Sequence, residues 1–330
     1  MNSRVAVVYS QKYQIDLGGA EKLHSFDIRK YAKIYLALNT DGFVRPEDVF
    51  VPEPVSHADL LRVHTPAYLE SLREPAAVAR YLEAPIVAAM PAPLLDATVL
   101  QPFRCATGGT ILAARLALRY GIAINIGGGY HHAKPDKGEG FCVYADMPIA
   151  IRVLQAERLI RRTLVVDLDV HQGNGTAACL KGDPSVFILD MHQAGIFPVP
   201  KEKCDLDVEL DAGTGDEGYL AILRRHLPGL LDRVRPDIVF LQAGCDVLAG
   251  DPLAGLALTP QGIVRRDAYV IDACAGRKIP LVMVTGGGYS PEAWQVQYQS
   301  IRRTIETYGL AGERPYPPRG PTTKEQLYVK

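Results

Sequence analysis

The sequence lacks the usual marks of a secreted, membrane-spanning or nucleic-acid-binding protein. Its 330 residues carry a formal net charge of −1, so the overall charge gives no electrostatic reason to bind nucleic acid or an anionic membrane. No run approaches the roughly 20 apolar residues that span a bilayer. The six cysteines are widely spaced and include no CxxC pair, which argues against a disulfide framework or a thiolate zinc site. We therefore expect a soluble cytoplasmic protein with reduced thiols, no direct contact with nucleic acid and no membrane span.

Linkers and phosphate-binding loops are missing as well. No Ser/Gly-rich linker, composition shift or internal repeat divides the chain, which predicts a single domain over residues 1–330 with an irregular, proline-rich tail at about 312–330. The runs GGGYHH and GGGYS lack the Lys/Ser pair of a P-loop and the spacing of a dinucleotide fingerprint. These glycines therefore do not indicate phosphate binding.

Strand and helix patterns alternate along the whole chain. The apolar runs, each typical of a strand buried on both faces, are RVAVVYS, GIAINIGGG, TLVVDLD, SVFILDMH, DIVFLQAGCD and PLVMVTGGGY. Helical-period segments lie between them, and the last of these begins with Thr259 as a plausible N-cap and Pro260 in the first turn. The alternation predicts an α/β fold with a mostly parallel central sheet and helices on both faces.

Polar residues follow four of these apolar runs. In open α/β sheets, sites form outside the carboxyl ends of the strands, so such residues are candidates for function. They are His131 and His132 after IAIN and three glycines, Asp167, Asp169 and His171 after TLVV, Asp246 after VFLQAG, and Tyr289 after LVMV and three glycines.

The DLDVH segment indicates a metal site. Alternate residues of an extended segment point to the same side, so Asp167, Asp169 and His171 can face one point. Carboxylates crowded in a dry interior need a cation or hydrogen bonds to offset their charge. With Asp246 as a further ligand, this set suits zinc or ferrous iron and leaves a position for water. A capping and turn cluster, with Asp246 as a helix N-cap, is the alternative.

The remaining residues match the needs of metal-assisted hydrolysis. A metal with an open position activates water, and the adjacent His131 and His132 are suitable general bases and acids. Tyr289 can donate a hydrogen bond to an oxyanion beside the metal. Its glycine-rich approach would let it turn into a cleft, although a lone tyrosine is more often a core or surface aromatic.

Together these motifs resemble the zinc-dependent histone deacetylases of the arginase-deacetylase fold. The similarity runs from about residue 24 to 289 and beyond, in the family's order, through HTPAYLESL, GGTILAA, GGGYHHA, GEGFCVYAD, VVDLDVHQGNGT, LQAGCDVLAGDPL and VTGGGYS. The segments GGGYHHA, DLDVHQGNG and GDPLAGLALTPQGIVRRD are most similar in sequence to those of class IV enzymes and their bacterial relatives.

The resemblance implies a role for each residue of the site. Tyr289 would polarise the acyl carbonyl, His132 would help to deprotonate water, and Asp167 would orient His131. The implied zinc ligands are Asp169, His171 and Asp246. The implied walls of the acyl-lysine tunnel are Gly140, Phe141, Phe197 and Leu253. Asn174 stands where some classes place an aspartate beside the second histidine, and Asp190 matches a side-chain contributor to a structural potassium site.

The resemblance leaves the substrate open. An acyl-lysine protein or peptide is expected, and a loose rim with Leu94 and Leu95 would admit acyl groups longer than acetyl. Small acylated amines such as acetylpolyamines are an alternative, although no clear acidic gate is evident. A dimanganese ureohydrolase is disfavoured because Asn174, rather than an acid, follows the histidine. A catalytically silent acyl-lysine binding protein is a further alternative, and the oligomeric state is not predicted.

Overall fold

A computed structural model describes residues 3–311, so the predicted irregular tail at 312–330 lies outside the described residues. The strands of the central sheet are β1 (Arg4–Val8), β2 (Val49–Phe50), β3 (Gly121–Asn125), β4 (Thr163–Asp167), β5 (Val186–Gln193), β6 (Leu206–Leu210), β7 (Ile238–Gln242) and β8 (Leu281–Val284). They form one eight-stranded sheet in the order β2-β1-β3-β8-β7-β4-β5-β6.

All neighbouring strands of this sheet run parallel. Strands β4, β7 and β8 are buried at every position, so both faces of the sheet centre are covered. Parallel strands of this kind require helices on both sides, since a βαβ crossover places a helix on a face of the sheet. The predicted α/β fold with a parallel central sheet is confirmed.

The α-helices alternate with the strands over most of the described chain. They are α1 (Lys30–Thr40), α2 (His57–Leu60), α3 (Pro66–Ser71), α4 (Pro75–Tyr81), α5 (Ala92–Leu95), α6 (Gln101–Tyr120), α7 (Asp146–Ala156), α8 (Asn174–Leu180), α9 (Asp216–Val234), α10 (Pro260–Gly276) and α11 (Ala293–Tyr308). Thr259 caps α10 as predicted, because its hydroxyl accepts the Gly262 N–H at 2.9 Å. Among residues 3–311, no helix combines the length and apolar character that crossing a membrane requires.

Two edge strands were not anticipated from the sequence. Strand β2 has only two residues, and β6 alternates between more and less exposed positions. Neither contains the continuous apolar run that distinguishes a strand buried on both faces. Both lie at the outer edges of the sheet, where one side of the strand has no neighbour.

Strand order brings the candidate residues together. Strands β3, β8, β7 and β4 are consecutive in the sheet, and their last residues form one row across it, in which Asn125 is aligned with Val284, Val284 with Gln242, and Gln242 with Asp167. The four segments that leave this row therefore start side by side at one edge. These are the segments that carry the histidines, the acids and the tyrosine.

Candidate active site

Asp169, His171 and Asp246 form a buried group that fits a metal ion. One ligand atom from each lies within 4.8 Å of the others, and no other such group occurs among residues 3–311. His171 Nδ1 is 3.3 Å from Asp169 Oδ1 and 3.2 Å from Asp246 Oδ2. Two carboxylates and an imidazole around one small volume are the donors that a divalent cation such as zinc takes in a three-ligand site. The residues present therefore fit the metal.

The chain turns directly after β4, which places these ligands. Asp167 Oδ1 accepts the Asp169 N–H at 3.2 Å, and Asp169 Oδ1 accepts the His171 N–H at 3.0 Å. Such local bonds are typical of aspartate in turns. The segment is therefore not an extended continuation of β4, and the expectation that all three side chains face one point does not hold for Asp167, which is directed to His131 instead.

Asp246 joins the loop after β7 to the loop after β4. Its Oδ1 accepts the Val170 N–H at 2.9 Å, while Oδ2 faces His171. The next α-helix along the chain, α10, begins only at Pro260, so Asp246 is not a helix N-cap. Its position is determined by contacts with the neighbouring loop.

Gly287 occupies the space between two of the candidate ligands. A Cβ at this position would lie 2.2 Å from Asp246 Oδ2 and 2.6 Å from Asp169 Oδ2. Its N–H also donates to Asp169 Oδ2 at 2.9 Å. The loop after β8 therefore approaches the carboxylates more closely than any residue with a side chain would allow.

We expect Gly287→Ala to weaken metal binding, because the added methyl group must displace one of the two carboxylates. The affinity for zinc should fall by at least about tenfold, the cost typical of disturbing the groups around a metal ligand. Titration of the metal-free protein with zinc measures this. Gly276→Ala is the matched control, since a Cβ there meets open space. Equal zinc affinity in the two variants would contradict the steric argument.

His131 is held by Asp167. Its Nδ1 lies 2.9 Å from Asp167 Oδ2, and its Nε2 is 3.7 Å from Asp169 Oδ1. Burial opposes a charge on this ring, but the carboxylates of Asp167 and Asp169 outweigh that effect and raise the pKa of His131 to about 9. His131 is thus a buried histidine whose protonated form is stabilised.

His132 has the opposite preference. Its ring centroid lies 4.1 Å from that of His131 and 6.0 Å from that of His171. Burial, together with the charges of those two rings, lowers the pKa of His132 well below 6.5. Its Nδ1 contacts Asn174 Oδ1 at 2.8 Å. The adjacent histidines therefore differ in charge preference, and burial favours the neutral form of His132.

Tyr289 faces the metal group from the loop after β8. Its ring centroid is 6.0 Å from that of His171 and 5.9 Å from that of Phe141. Its backbone N–H donates to Asp251 Oδ2 at 2.8 Å, which anchors the glycine-rich loop. Burial raises the pKa of Tyr289 well above 10, so its hydroxyl stays protonated and can donate a hydrogen bond.

A buried cation also holds this loop. Lys30 Nζ donates to the carbonyls of Gly286 and Gly287 at 2.6 and 3.1 Å, and it lies 4.4 Å from the ring centroid of Phe26. The loop is thus bound at its carbonyls by Lys30 and at its N–H groups by Asp251. Neither residue was selected from the sequence, because neither follows an apolar run directly.

The glycine run before the histidines is fixed by buried polar side chains. Asp146 accepts the N–H groups of Gly129 and Tyr130 at 2.9 and 2.7 Å, and Gln242 Nε2 donates to the Gly129 carbonyl at 3.0 Å. The Tyr130 ring packs against Phe103, with centroids 4.9 Å apart. Tyr130 is therefore a core residue. Asp146 is the last residue of the GEGFCVYAD motif, and its place in that motif is the feature of the sequence that could have identified it.

A cavity opens onto the candidate site. Gly140 and Phe141, two of the four expected wall residues, line it with His132, Asp169 and Tyr289. Much of the remaining lining is apolar, and it includes Ile15, Leu17, Ile28, Leu82, Ile86, Val87, Val99 and Phe103. The cavity can therefore accommodate an apolar group next to the metal group.

The other predicted wall residues are placed differently. The Phe197 ring lies 4.9 Å from the His132 ring and is 40% exposed, so it stands at the surface beside the site. Leu253 is 38% exposed and is not among the residues that line this cavity. The expected rim of Leu94 and Leu95 is wrong for Leu95, because that side chain is fully buried in the core.

Asp190 lies close to Asp167 and His131, because all three side chains border Gly173. It is fully buried, its Oδ2 accepts the Gly173 N–H at 2.8 Å, and its Oδ1 accepts a hydrogen bond from His192 Nδ1 at 2.7 Å. A Cβ on Gly173 would lie 2.4 Å from Asp167 Oδ2 and 3.3 Å from Asp190 Oδ2, so both carboxylates border the same glycine. Burial raises the pKa of Asp190.

Comparison with known proteins identifies the family. The family model for the histone deacetylase domain matches residues 24–305. The chain is also 41% identical over 316 residues to Histone deacetylase 2 of Arabidopsis thaliana, which covers 95% of this chain and 81% of that protein. The chain belongs to the histone deacetylase family.

Two further similarities agree with this membership. A histone deacetylase-like amidohydrolase of Pseudomonas aeruginosa is 32% identical over 254 residues, 72% of this chain and 65% of that protein. The crystal structure of the HDA15 HD domain superposes with a TM-score of 0.73 at 21% identity, over 93% of this chain and 89% of that one, and shows the fold. Family membership supports a hydrolase of the deacetylase type, and metal dependence is typical of the family.

Proposed function

We propose that this deacetylase-family protein is a zinc-dependent hydrolase of acylated lysine side chains. The observation that carries the proposal is the buried group of Asp169, His171 and Asp246 next to two histidines of opposite charge preference. Bound at this group, zinc would supply a Lewis acid that polarises the amide carbonyl and makes water a better nucleophile. Its ligands would be these three side chains.

We assign the proton transfers to the chain's own residues. His132, neutral and buried, would accept the proton of the attacking water, because a general base must be unprotonated before it acts. His131, held by Asp167, would stabilise developing negative charge, and either histidine would pass a proton to the departing lysine amine. The Tyr289 hydroxyl would donate a hydrogen bond to the acyl oxygen. The rings of Phe141 and Phe197 would exclude bulk water from the site.

The lining of the cavity supports acyl groups longer than acetyl. Leu82, Val87, Val99 and Phe103 line the same cavity as His132. Burial of apolar area contributes about 0.8 kcal/mol per methylene group, so each added carbon that enters such a cavity favours binding. We therefore propose that medium and long acyl chains are hydrolysed at least as well as acetyl.

Deacetylation of acetylpolyamines is the second candidate, favoured by one observation. Glu21 lines the cavity and would be the acid that meets a distal ammonium. However, its Oε2 already accepts the N–H groups of Leu17 and Gly19 at 3.0 and 2.9 Å. This engagement makes Glu21 a weaker gate than a free carboxylate, so acyl-lysine remains the preferred substrate class.

A substrate panel tests the proposal. The zinc-loaded protein should hydrolyse lysine peptides that carry acetyl, decanoyl or myristoyl groups, with kcat/KM for decanoyl equal to or above that for acetyl. Acetylpolyamines run in parallel, and the Tyr289→Phe protein reports background hydrolysis. Turnover of acetylpolyamines alone would favour the second candidate. Zinc bound near one per chain with no turnover of any substrate would indicate a silent binding protein and refute the proposal.

The proposal also covers the alternative metal, a second bound ion and the cellular location. Ferrous iron is the alternative metal, since a donor set of two aspartates and a histidine can hold it, and metal analysis after anaerobic purification distinguishes the two. A potassium ion is proposed next to Asp190, whose fully buried carboxylate borders the same glycine, Gly173, as that of Asp167. We also propose that the protein acts in the cytoplasm.

A further inference from the structure

A chain of polar side chains leads from His132 towards the surface. His132 Nδ1 meets Asn174 Oδ1 at 2.8 Å, and Asn174 Nδ2 donates to Glu139 Oε1 at 2.9 Å. The other oxygen of Glu139 pairs with Lys137 Nζ. Glu139 and Lys137 belong neither to the metal group nor to the histidine pair. Glu139 is nevertheless connected to the His132 ring through the Asn174 amide.

The direction of these hydrogen bonds is determined by the chemistry of the groups. An ionised carboxylate can only accept hydrogen bonds, whereas an amide side chain donates from nitrogen and accepts at oxygen. Glu139 must therefore receive the Asn174 Nδ2, which turns the Asn174 oxygen towards His132. The Gly175 N–H, 3.0 Å from the same oxygen, acts in the same sense.

The orientation of Asn174 in turn selects one form of His132. Because Asn174 Oδ1 accepts, His132 Nδ1 must carry the hydrogen. A neutral imidazole has one N–H, so Nε2 then holds the free lone pair. Nδ1 is already occupied by Asn174, and Nε2 is the nitrogen left for the reaction. This is the tautomer that a general base needs.

Glu139 is suited to this task by its charge and its backbone. Burial acts to raise its pKa, but hydrogen bonds from Lys137 and Asn174 outweigh burial and hold the pKa of Glu139 below its usual value. Its backbone is independently fixed, since its N–H and carbonyl pair with the carbonyl and N–H of Cys142 at 3.2 and 3.0 Å. Changing the side chain should therefore leave the loop in place.

We propose that Glu139 is a positioning residue that sets the tautomer of His132 through Asn174. Its effect on turnover rests on the proposed function, whereas the tautomer itself is a property of the folded protein. Glu139 does not touch the metal group. It acts only through the orientation of the asparagine amide.

Glu139→Gln tests this inference, because glutamine has nearly the same shape but can donate as well as accept. Its amide permits Asn174 to turn, so the Nε2–H form of His132 should become populated. Nitrogen-15 NMR of the zinc-loaded protein with labelled histidine distinguishes the two tautomers, and His132→Ala assigns the signal. We expect the wild type to show the Nδ1–H form, and Glu139→Gln to lower kcat by about tenfold with little change in KM.

Adding Asn174→Asp to Glu139→Gln should restore both the tautomer and kcat. A carboxylate at position 174 only accepts, so it would take the Nδ1–H of His132 on one side and an amide N–H from the side chain at position 139 on the other. Glu202→Gln is the matched control, since Glu202 is also paired with a lysine, Lys134, at 3.2 Å but has no contact with Asn174. It should leave the tautomer and kcat unchanged.

An unchanged tautomer in Glu139→Gln overturns the inference. So does a fall in kcat that Asn174→Asp fails to rescue, because the carboxylate would then act by another route. If the wild type shows the Nδ1–H form and Glu139→Gln shifts it, but no acyl substrate is hydrolysed, the inference is supported and only the proposed function fails. The NMR and activity measurements thus separate the two.

Discussion

Asp246→Asn should abolish acyl-lysine hydrolysis and reduce zinc affinity by at least about 100-fold, because changing a ligand should cost at least as much as losing a group that only supports one. The substitution removes one of two negative charges from a fully buried group. The neutral amide also turns either a weaker oxygen ligand or an N–H donor towards the ion. The Val170 N–H that Asp246 accepts at 2.9 Å can still be accepted by the asparagine oxygen, so the loop itself should stay folded.

Zinc titration of the metal-free protein and the activity panel measure this effect together. Asp272→Asn is the matched control, because Asp272 pairs with Arg303 at 2.7 Å on the surface and does not belong to the metal group. The control should bind zinc and turn over substrate as the wild type does. Full zinc occupancy and full activity in Asp246→Asn would remove Asp246 from the proposed ligand set.

Tyr289→Phe should lower kcat by about 100- to 1000-fold while zinc stays bound, the range measured when a single oxyanion donor is removed. The substitution deletes only the hydroxyl. The ring contacts with Phe141 and His171 remain, and the backbone bond to Asp251 does not depend on the side chain. The loss should therefore appear in the chemical step and not in folding or metal content.

Steady-state kinetics with zinc analysis of the same samples checks this prediction. Tyr298→Phe offers a control, since the Tyr298 hydroxyl bonds to Asp41 at an exposed position of α11 and should be neutral for activity. If Tyr289→Phe keeps the wild-type kcat, the tyrosine is a wall residue and the acyl oxygen must be stabilised by other groups.

Much of the fold could be read from local patterns. Runs such as TLVVD and IVFLQ are buried at every position, and only a strand covered on both faces needs such a composition, so a parallel sheet followed. Thr259 before Pro260 predicted the start of α10 because capping depends on neighbouring residues alone. The motifs also singled out Asp169, His171 and Asp246, which the structure brings within one buried group.

Other features depend on contacts between distant residues. The alternation within DLDVH did not indicate that Asp167 points to His131, because the strand ends at Asp167 and the turn after it breaks the alternation. Only the family resemblance implied this pairing. We expected Leu95 at the rim of the substrate site, yet the packing of the core buries it completely. Glu139 lies within the GEGFCVYAD motif, but its relation to His132 exists only because the loop after Lys137 lies against Asn174.

The sequence by itself determined the parallel α/β class, the family and the chemical groups available at the ends of the strands, because these follow from composition and short-range order. Only the tertiary structure decided that β3, β8, β7 and β4 are neighbours, so that four separate segments meet at one edge of the sheet. Strand order depends on how helices pack across the whole sheet. The same long-range packing places Glu139 against Asn174, a contact that the family resemblance did not imply.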